Sequence, residues 1–254
     1  MKNQIFLQAR LGSTRLSNKV LLKICNKSII EFMVERLSSI SDIDKIVLVT
    51  GPKEINEQLV DEAKNLNIDF FCGNQENILD RFYNAALMFK PDRIIRVTGD
   101  CPLIDPHLIK KGLQIFNSNT FEILSNVRKR TYPDGLDFEI LTRNILTKAW
   151  TDKFNEFTNR QTFYETVLHP TKYLLENNTL HHYDLLNNEN LSNIRLTLDY
   201  PEDYTLLSLI AENLYPNNKF FGLDEIMKFI KNNKNILHIN KQFIKTDYGI
   251  QVQK

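Results

Sequence analysis

Cysteine is scarce in this chain and widely scattered: Cys25, Cys72 and Cys101 form no CxxC pair and no Cys/His spacing. That argues against a disulfide framework or a zinc site and fits a reducing cytoplasm. Long apolar runs are missing too. No segment nears the roughly 20 apolar residues of a membrane helix, and the run from Ile5 to Leu7 is too brief for the core of a secretory signal. Neither charge sign is in excess, since 32 Lys and Arg stand against 31 Asp and Glu, so no global field points to a nucleic acid or an anionic membrane as partner. Internal repeats and low-complexity linkers are absent. So are the Walker pattern and GxGxxG, which disfavours P-loop hydrolases and dinucleotide dehydrogenases. What remains is small-molecule chemistry on a single domain of 254 residues, long enough to bury a sizeable core.

Apolar runs at Gln4 to Gln8, Lys45 to Thr50, Ile68 to Cys72 and Arg93 to Thr98 alternate with stretches of helical period. This alternation predicts an α/β fold built on a mainly parallel, doubly wound sheet. Ser28 with Glu31 forms a capping-box pattern ahead of Ile29, Ile30, Met33, Val34 and Leu37, and Asp105-Pro106 supplies an N-cap and an N1 proline for another helix. Further on, Phe121 to Ser125, Leu136 to Leu141 and Ile194 to Leu198 read as strands. Thr142 to Asp152, Asn155 to Leu168, Asp203 to Leu214 and Leu223 to Asn232 read as helices. The segment from about 144 to 193 is the best candidate for an insertion packing on a second subunit.

One absence is local: the first thirty residues hold six basic side chains and no acidic one. Arg10, Arg15 and Lys19 follow directly on the first strand, in Gln8-Ala9-Arg10-Leu11-Gly12-Ser13-Thr14-Arg15-Leu16-Ser17-Asn18-Lys19. Such a loop can aim backbone N–H groups at phosphate oxygens while its cations neutralise them; an ordinary solvated strand-to-helix loop has the same composition. A second motif, Thr98-Gly99-Asp100-Cys101-Pro102, ends the fourth strand, where an open parallel sheet places its ligands. There Gly99 permits close approach of a nucleotide, whereas Asp105 is read as a helix cap. A third, Arg195-Leu196-Thr197-Leu198-Asp199, again ends in an aspartate, which either caps the next helix or joins Asp100 as a magnesium ligand. In Arg128 to Glu139, Asp137 and Glu139 share a strand face. They could hold sugar hydroxyls or support the metal, with Arg128 or Arg130 on an acidic group of the acceptor, or the stretch is a solvated turn and a polar strand face. Cys101 has no histidine partner in its motif and reads as packing, and His181 and His182 point to opposite strand faces.

Taken together, QARLGSTRLSNKVL, GNQENILDRFYNAA, RVTGDCPLIDP, RTYPDGLDFEI and RLTLDYPEDY, in this order, resemble the spore-coat polysaccharide biosynthesis protein F family. That family groups with the synthetases of CMP-ketodeoxyoctonate and CMP-sialic acid. The resemblance implies a Rossmann-like, GT-A-like nucleotidyltransferase fold, CTP as donor, Mg2+ as cofactor, a small sugar-type acceptor and a homodimer. It also implies that Gln8, Ala9, Arg10, Leu11, Gly12, Ser13, Arg15, Lys19 and Gly99 bind the nucleotide, with Asn77, Asp80 and Arg81 near its base. Arg10, Lys19 and Asp100 would be catalytic, Asp100 and Asp199 would hold the metal, and Arg128, Arg130, Asp137, Glu139 and Arg160 would face the acceptor. The expected product is a CMP-linked acidic sugar for surface polysaccharide; the alternatives are a phosphorylated sugar or alcohol as acceptor, a nucleotide-binding regulator, or a glycosyltransferase. Two departures stand out. Ser17-Asn18 replaces the usual Pro-Gly, and Arg160-Gln161-Thr162-Phe163-Tyr164 stands where relatives often read Arg-Glu-His-Val-Thr.

Overall fold

The computed structural model describes residues 1–244. Its elements run β1 (Asn3–Gln8), β2 (Lys23–Ile24), β3 (Lys27–Ser28), α1 (Ile29–Leu37), β4 (Lys45–Thr50), α2 (Lys53–Asn65), β5 (Asp69–Cys72), α3 (Ile78–Phe89) and β6 (Arg93–Thr98). They continue with α4 (Pro106–Asn117), β7 (Ile123–Ser125), β8 (Phe138–Thr142), α5 (Arg143–Glu156), α6 (Arg160–Glu165), α7 (Lys172–Glu176), β9 (His182–Asp184), α8 (Pro201–Leu214) and α9 (Leu223–Asn232), then two 3-10 turns at Lys234–His238 and Lys241–Phe243.

Among the described residues, seven strands make one sheet in the order β5-β4-β1-β6-β8-β7-β9. β1 pairs in parallel with both β4 and β6, while β8 runs antiparallel to β6 and β7, so the sheet is mixed. From β1 the chain first builds outward through β4 and β5, then crosses to β6 on the other side. The carboxyl ends of β1 and β6 therefore flank the switch point where such folds bind ligands. Alternation along the strands feeds two cores. Ile5, Leu7, Leu48, Ile95 and Val97 pack under α1, α2, α4, α8 and α9, while Phe6, Val47, Val49 and Ile94 pack under α3, α5 and α7. Both faces are buried because both are apolar, the pattern of a helix-covered parallel sheet.

The caps form as the sequence requires. Ser28 Oγ accepts the Glu31 N–H at 3.0 Å. Asp105 Oδ1 accepts the His107 N–H at 2.8 Å, and its Oδ2 accepts from Leu223 at 2.9 Å, tying α4 to α9.

Two expected elements differ. Asn155 to Leu168 is not one helix: α5 ends at Glu156, and Asn159 caps a separate α6 by accepting from Gln161 N–H at 2.9 Å. Ile194 to Leu198 is extended and buried but belongs to no strand. Its hydrogen bonds go to loops, Leu196 N–H to Asp134 O and Leu198 N–H to Asp100 O at 2.8 Å, with a single parallel bridge between Asp134 and Arg195. No helix among the described residues is long and apolar enough to cross a membrane.

Candidate active site

Two cavities open at the switch point. One, of about 360 Å3, lies under the loop that follows β1 and is lined by Gln8, Ala9, Arg10, Gly12, Ser13, Arg15, Lys19, Arg81 and Gly99, among others. The second, of about 380 Å3, lies over β6 and β8 and includes Asp134, Asp137, Glu139, Lys172, Arg195 and Thr197. Arg96, Thr98, Asp100, His169 and Asp199 line both. A molecule in one cavity therefore meets a molecule in the other at these five residues.

The loop is anchored before it reaches the cavity. Leu11 N–H donates to Asn56 Oδ1 at 2.9 Å, and Asn56 is fully buried. Gly12 then takes a positive φ of 86°, a conformation that costs glycine nothing and turns the loop over the cavity. Asn18 sits at φ 49°, and asparagine is the non-glycine residue that best tolerates the left-handed region. That explains how Ser17-Asn18 can stand where the resemblance implies Pro-Gly. Gly99 lines the loop cavity, as expected of a residue that lets a nucleotide approach, and it also serves packing: a Cβ there would meet Ala9 Cβ at 3.0 Å and Val20 at 3.2 Å, so its missing side chain lets the end of β6 and the loop root pack together.

Lys19 joins the two aspartates. Its Nζ lies 2.9 Å from Asp199 Oδ1 and 3.6 Å from Asp100 Oδ2, and donates to Leu198 O at 2.7 Å. Arg15 reaches Asp199 Oδ1 at 3.1 Å, and Arg195 reaches Asp199 Oδ2 at 3.3 Å. Burial would push the Asp199 carboxyl up, but Lys19, Arg15 and Arg195 outweigh it and hold the group below the usual carboxylate range. Asp199 does not cap α8. Asp203 does that, accepting the N–H groups of Asp199 and Tyr200 at 2.9 and 3.0 Å.

Asp100 is the freer carboxylate, with its side chain 34% exposed. No group of three or more His, Cys, Asp or Glu able to hold a metal occurs among the described residues. Two hard carboxylates at the mouth of a cation-lined loop nonetheless suit a magnesium ion that brings its remaining ligands as water and phosphate oxygens. A triphosphate would compete with Asp199 for Arg15 and Lys19 and so release that carboxylate.

The remaining assigned residues separate. Arg81 lines the loop cavity and holds the 74–75 backbone, its Nε donating to Asn74 O at 2.9 Å. Burial, aided by the Arg10 charge, pulls Arg81 down to about 10, still cationic at neutral pH. Asn77 and Asp80 line neither cavity: Asn77 caps α3 and donates to Phe163 O at 2.7 Å, and Asp80 accepts from Trp150 Nε1 at 2.9 Å. Their polar atoms are committed to the fold.

Asp137 and Glu139 do line the second cavity, but Arg128, Arg130 and Arg160 line neither. Arg128 is a fork onto Asp184 at 2.7 and 2.6 Å, Arg130 grips both oxygens of Asp137, and Arg160 donates to Phe154 O and Phe157 O. Cys101 is 2% exposed and burial holds its thiol well above the ordinary range, which suits packing and not nucleophilic attack.

Sequence motifs gave no role to Arg96, His169 or Lys172. Arg96 donates from Nη1 to both oxygens of Glu139, at 3.1 and 2.8 Å, and from Nε to Gln8 Oε1 at 3.0 Å. It thereby links the root of the loop to the second cavity. The stretch after Arg160 lacks the histidine that the resemblance implies, yet His169-Pro170-Thr171, a little further on, brings a histidine to the shared wall. Its Nδ1 accepts the Lys172 N–H at 3.0 Å and the Thr171 N–H at 3.3 Å, which puts the ring proton on Nε2. That atom stands 3.3 Å from Arg96 Nη2. Both carry protons, so both are left to donate into the junction. The one signal in the sequence was a histidine followed by proline and threonine, too short to stand alone.

Burial, with the charges of Arg96 and Lys172, pulls the His169 imidazole down to about 3, against about 6.5 in an unfolded chain. Between these values the unfolded chain binds the extra proton, so this group's contribution to stability is complete above about pH 6.5 and is lost as pH falls. His169→Asn keeps an acceptor near Nδ1 without the titration. The stability advantage of wild type over this variant should shrink by up to about 1.4 kcal/mol per pH unit below pH 6. Urea unfolding between pH 7 and 4 reads this, and parallel curves for the two proteins would refute it.

A phosphate-ready loop and a paired carboxylate wall at a Rossmann-like switch point define a nucleotidyltransferase. The cytidylyltransferase family model matches residues 5–243, and the chain belongs to that family. It is 31% identical over 245 residues to an uncharacterized protein of Methanocaldococcus jannaschii, spanning 95% of this chain and 96% of that one. To the spore coat polysaccharide biosynthesis protein SpsF of Bacillus subtilis it is 29% identical, over 81% of this chain and 85% of the other. A 3-deoxy-manno-octulosonate cytidylyltransferase of Brucella ovis is 35% identical over 117 residues, 44% of this chain and 45% of that one. The solved structure of a cytidylyltransferase from Leptospira borgpetersenii superposes with a TM-score of 0.83 at 32% identity, covering 93% of this chain and 97% of its own. Cytidylyl transfer from CTP follows from that membership.

Proposed function

We propose that this protein transfers CMP from CTP to a hydroxyl of an acidic sugar of the ulosonic type, releasing pyrophosphate, in the synthesis of a surface polysaccharide. The observation that carries the reading is the shared wall. A triphosphate under Arg10, Arg15 and Lys19 presents its α-phosphorus where Asp100, Thr98 and His169 also face the second cavity. The acceptor oxygen attacks that phosphorus in line, the bond to the bridging oxygen breaks, pyrophosphate departs, and the hydroxyl proton is released. Positioning and charge neutralisation are the whole of the protein's task in such a step. A magnesium ion held by Asp100 and Asp199 would add neutralisation of the triphosphate. His169 Nε2–H and Lys172 can take a sugar carboxylate, while Asp134 and Asp137 can accept from sugar hydroxyls.

A phosphorylated acceptor suits the cavity less well. Asp100, Asp134, Asp137, Glu139, Glu176 and Asp199 all line it, and Arg96 and Arg195 are already committed to carboxylates. A phosphate dianion would bring a second negative charge beyond the one that Lys172 can meet.

A pyrophosphate-release screen of CTP, ATP, GTP and UTP against eight- and nine-carbon ulosonic acids and sugar phosphates tests this reading. Release with CTP and an ulosonic acid is expected. Turnover of CTP confined to sugar phosphates would overturn the acceptor assignment, and turnover confined to other nucleotides would overturn the donor.

A further inference from the structure

We propose that the C-terminal 3-10 turn is part of the nucleotide site, with Phe243 and Tyr200 positioning Arg15 for the triphosphate; this rests on the reading that the loop after β1 binds that group. Arg15 has a side chain 49% exposed at the tip of a long loop, where a free arginine would sample many rotamers. It is nevertheless held in one place. Its Nη1 donates to the Tyr200 hydroxyl at 3.4 Å, and its guanidinium carbon lies 5.1 Å from the Tyr200 ring centre.

Tyr200 is fixed in turn. Phe243 stacks flat on it, with ring centres 3.8 Å apart and planes 5° from parallel. Phe243 belongs to a turn closed by its own N–H onto Asn240 O at 3.0 Å. Asn240 is 1% exposed and donates to Arg195 O at 3.1 Å and to Asp203 Oδ1 at 2.9 Å. The turn is thus bolted to the residues that hold Asp199, and it offers one aromatic face to the tyrosine that steadies Arg15.

The physical gain is preorganisation. An arginine side chain has many rotamers to lose, and ordering it before the ligand arrives removes much of that penalty from binding. The effect belongs to the β- and γ-phosphates and should be absent for ligands that lack them. Neither Tyr200 nor Phe243 needs to touch the nucleotide.

Calorimetric titration of the full chain with CTP and, separately, with CMP provides the test. Phe243→Ala should weaken CTP by about tenfold, the greater part of the arginine's ordering cost, and leave CMP binding unchanged. Phe243→Tyr should restore CTP affinity and Phe243→Leu should not, because flat stacking and not bulk is required. In an Arg15→Ala background, Phe243→Ala should have no further effect. If Arg15→Ala leaves CTP affinity intact, the reading of the loop is wrong. If Arg15→Ala weakens CTP but Phe243→Ala does not, or does so equally in the Arg15→Ala background or equally for CMP, the positioning role is overturned.

Discussion

With Asp100→Ala, pyrophosphate release is expected to fall by about a thousandfold, the scale of losing a principal electrostatic group from an active site, while the melting temperature stays within a few degrees of wild type. The separation follows from how position 100 divides its work. Its carbonyl oxygen is structural, accepting from Leu198 N–H at 2.8 Å and from Thr197 Oγ1 at 3.1 Å, and alanine retains both bonds. Its carboxylate touches little: Lys19 Nζ at 3.6 Å and the Cys101 thiol at 3.7 Å. Removing it opens no cavity in the core and strands no buried charge, since Lys19 keeps Asp199. Asp100→Asn should lose nearly as much activity, because it preserves size and removes only the charge that, on the proposed reading, would hold a metal-bound triphosphate. Wild-type rates in either variant would remove Asp100 from the chemistry. A melting temperature lowered by ten degrees or more would make it a structural residue.

The half of the fold around β1, β4 and β6 was legible because its signals are local. Apolar strand runs, the Ser28 cap and Asp105-Pro106 each act within a few residues, and the structure uses all of them. The loop was legible for the same reason: Arg10, Gly12, Ser13, Arg15 and Lys19 lie close together in the chain and line one cavity. Where partners are distant, the sequence carried less. Ile194 to Leu198 has the composition of a buried strand, and only the positions of Asp134 and Asp100 decide that its hydrogen bonds go to loops. Arg128 and Arg130 look like free cations in a basic cluster. The matching carboxylate of Arg128 is 56 residues away, and that of Arg130 is Asp137, across a turn that the sequence shows without showing which side chains it brings together. His169 was missed because its use depends on the backbone N–H groups that hold Nδ1 and on Arg96, which arrives from β6.

Arg195→Met is expected to lower unfolding stability by about 3–5 kcal/mol, the loss associated with breaking a buried ion pair by removing one partner. The Arg195 and Asp203 side chains are 2% and 0% exposed. The guanidinium forks onto Asp203 at 2.9 and 2.8 Å and reaches Asp199 Oδ2 at 3.3 Å and Asp134 Oδ2 at 3.5 Å. Burial alone would lower the Arg195 pKa, but the bonds and charge of Asp203, with Asp134 and Asp199, raise it. Methionine fills similar space and leaves the Asp203 carboxyl in the interior without its cation. Arg195→Lys should be milder, about 1–2 kcal/mol, because the charge stays while the fork is lost. A single ammonium cannot serve both oxygens of Asp203 and still reach Asp199. The lysine variant should therefore remain folded yet turn over at least tenfold more slowly at saturating CTP, since Asp199 is no longer held from behind while Arg15 and Lys19 are drawn toward phosphate. Urea unfolding and steady-state rates on the same preparations separate the two effects. If Arg195→Lys proves fully active, Asp199 needs no such support, and the role of Arg195 reduces to the stability of the helix it anchors.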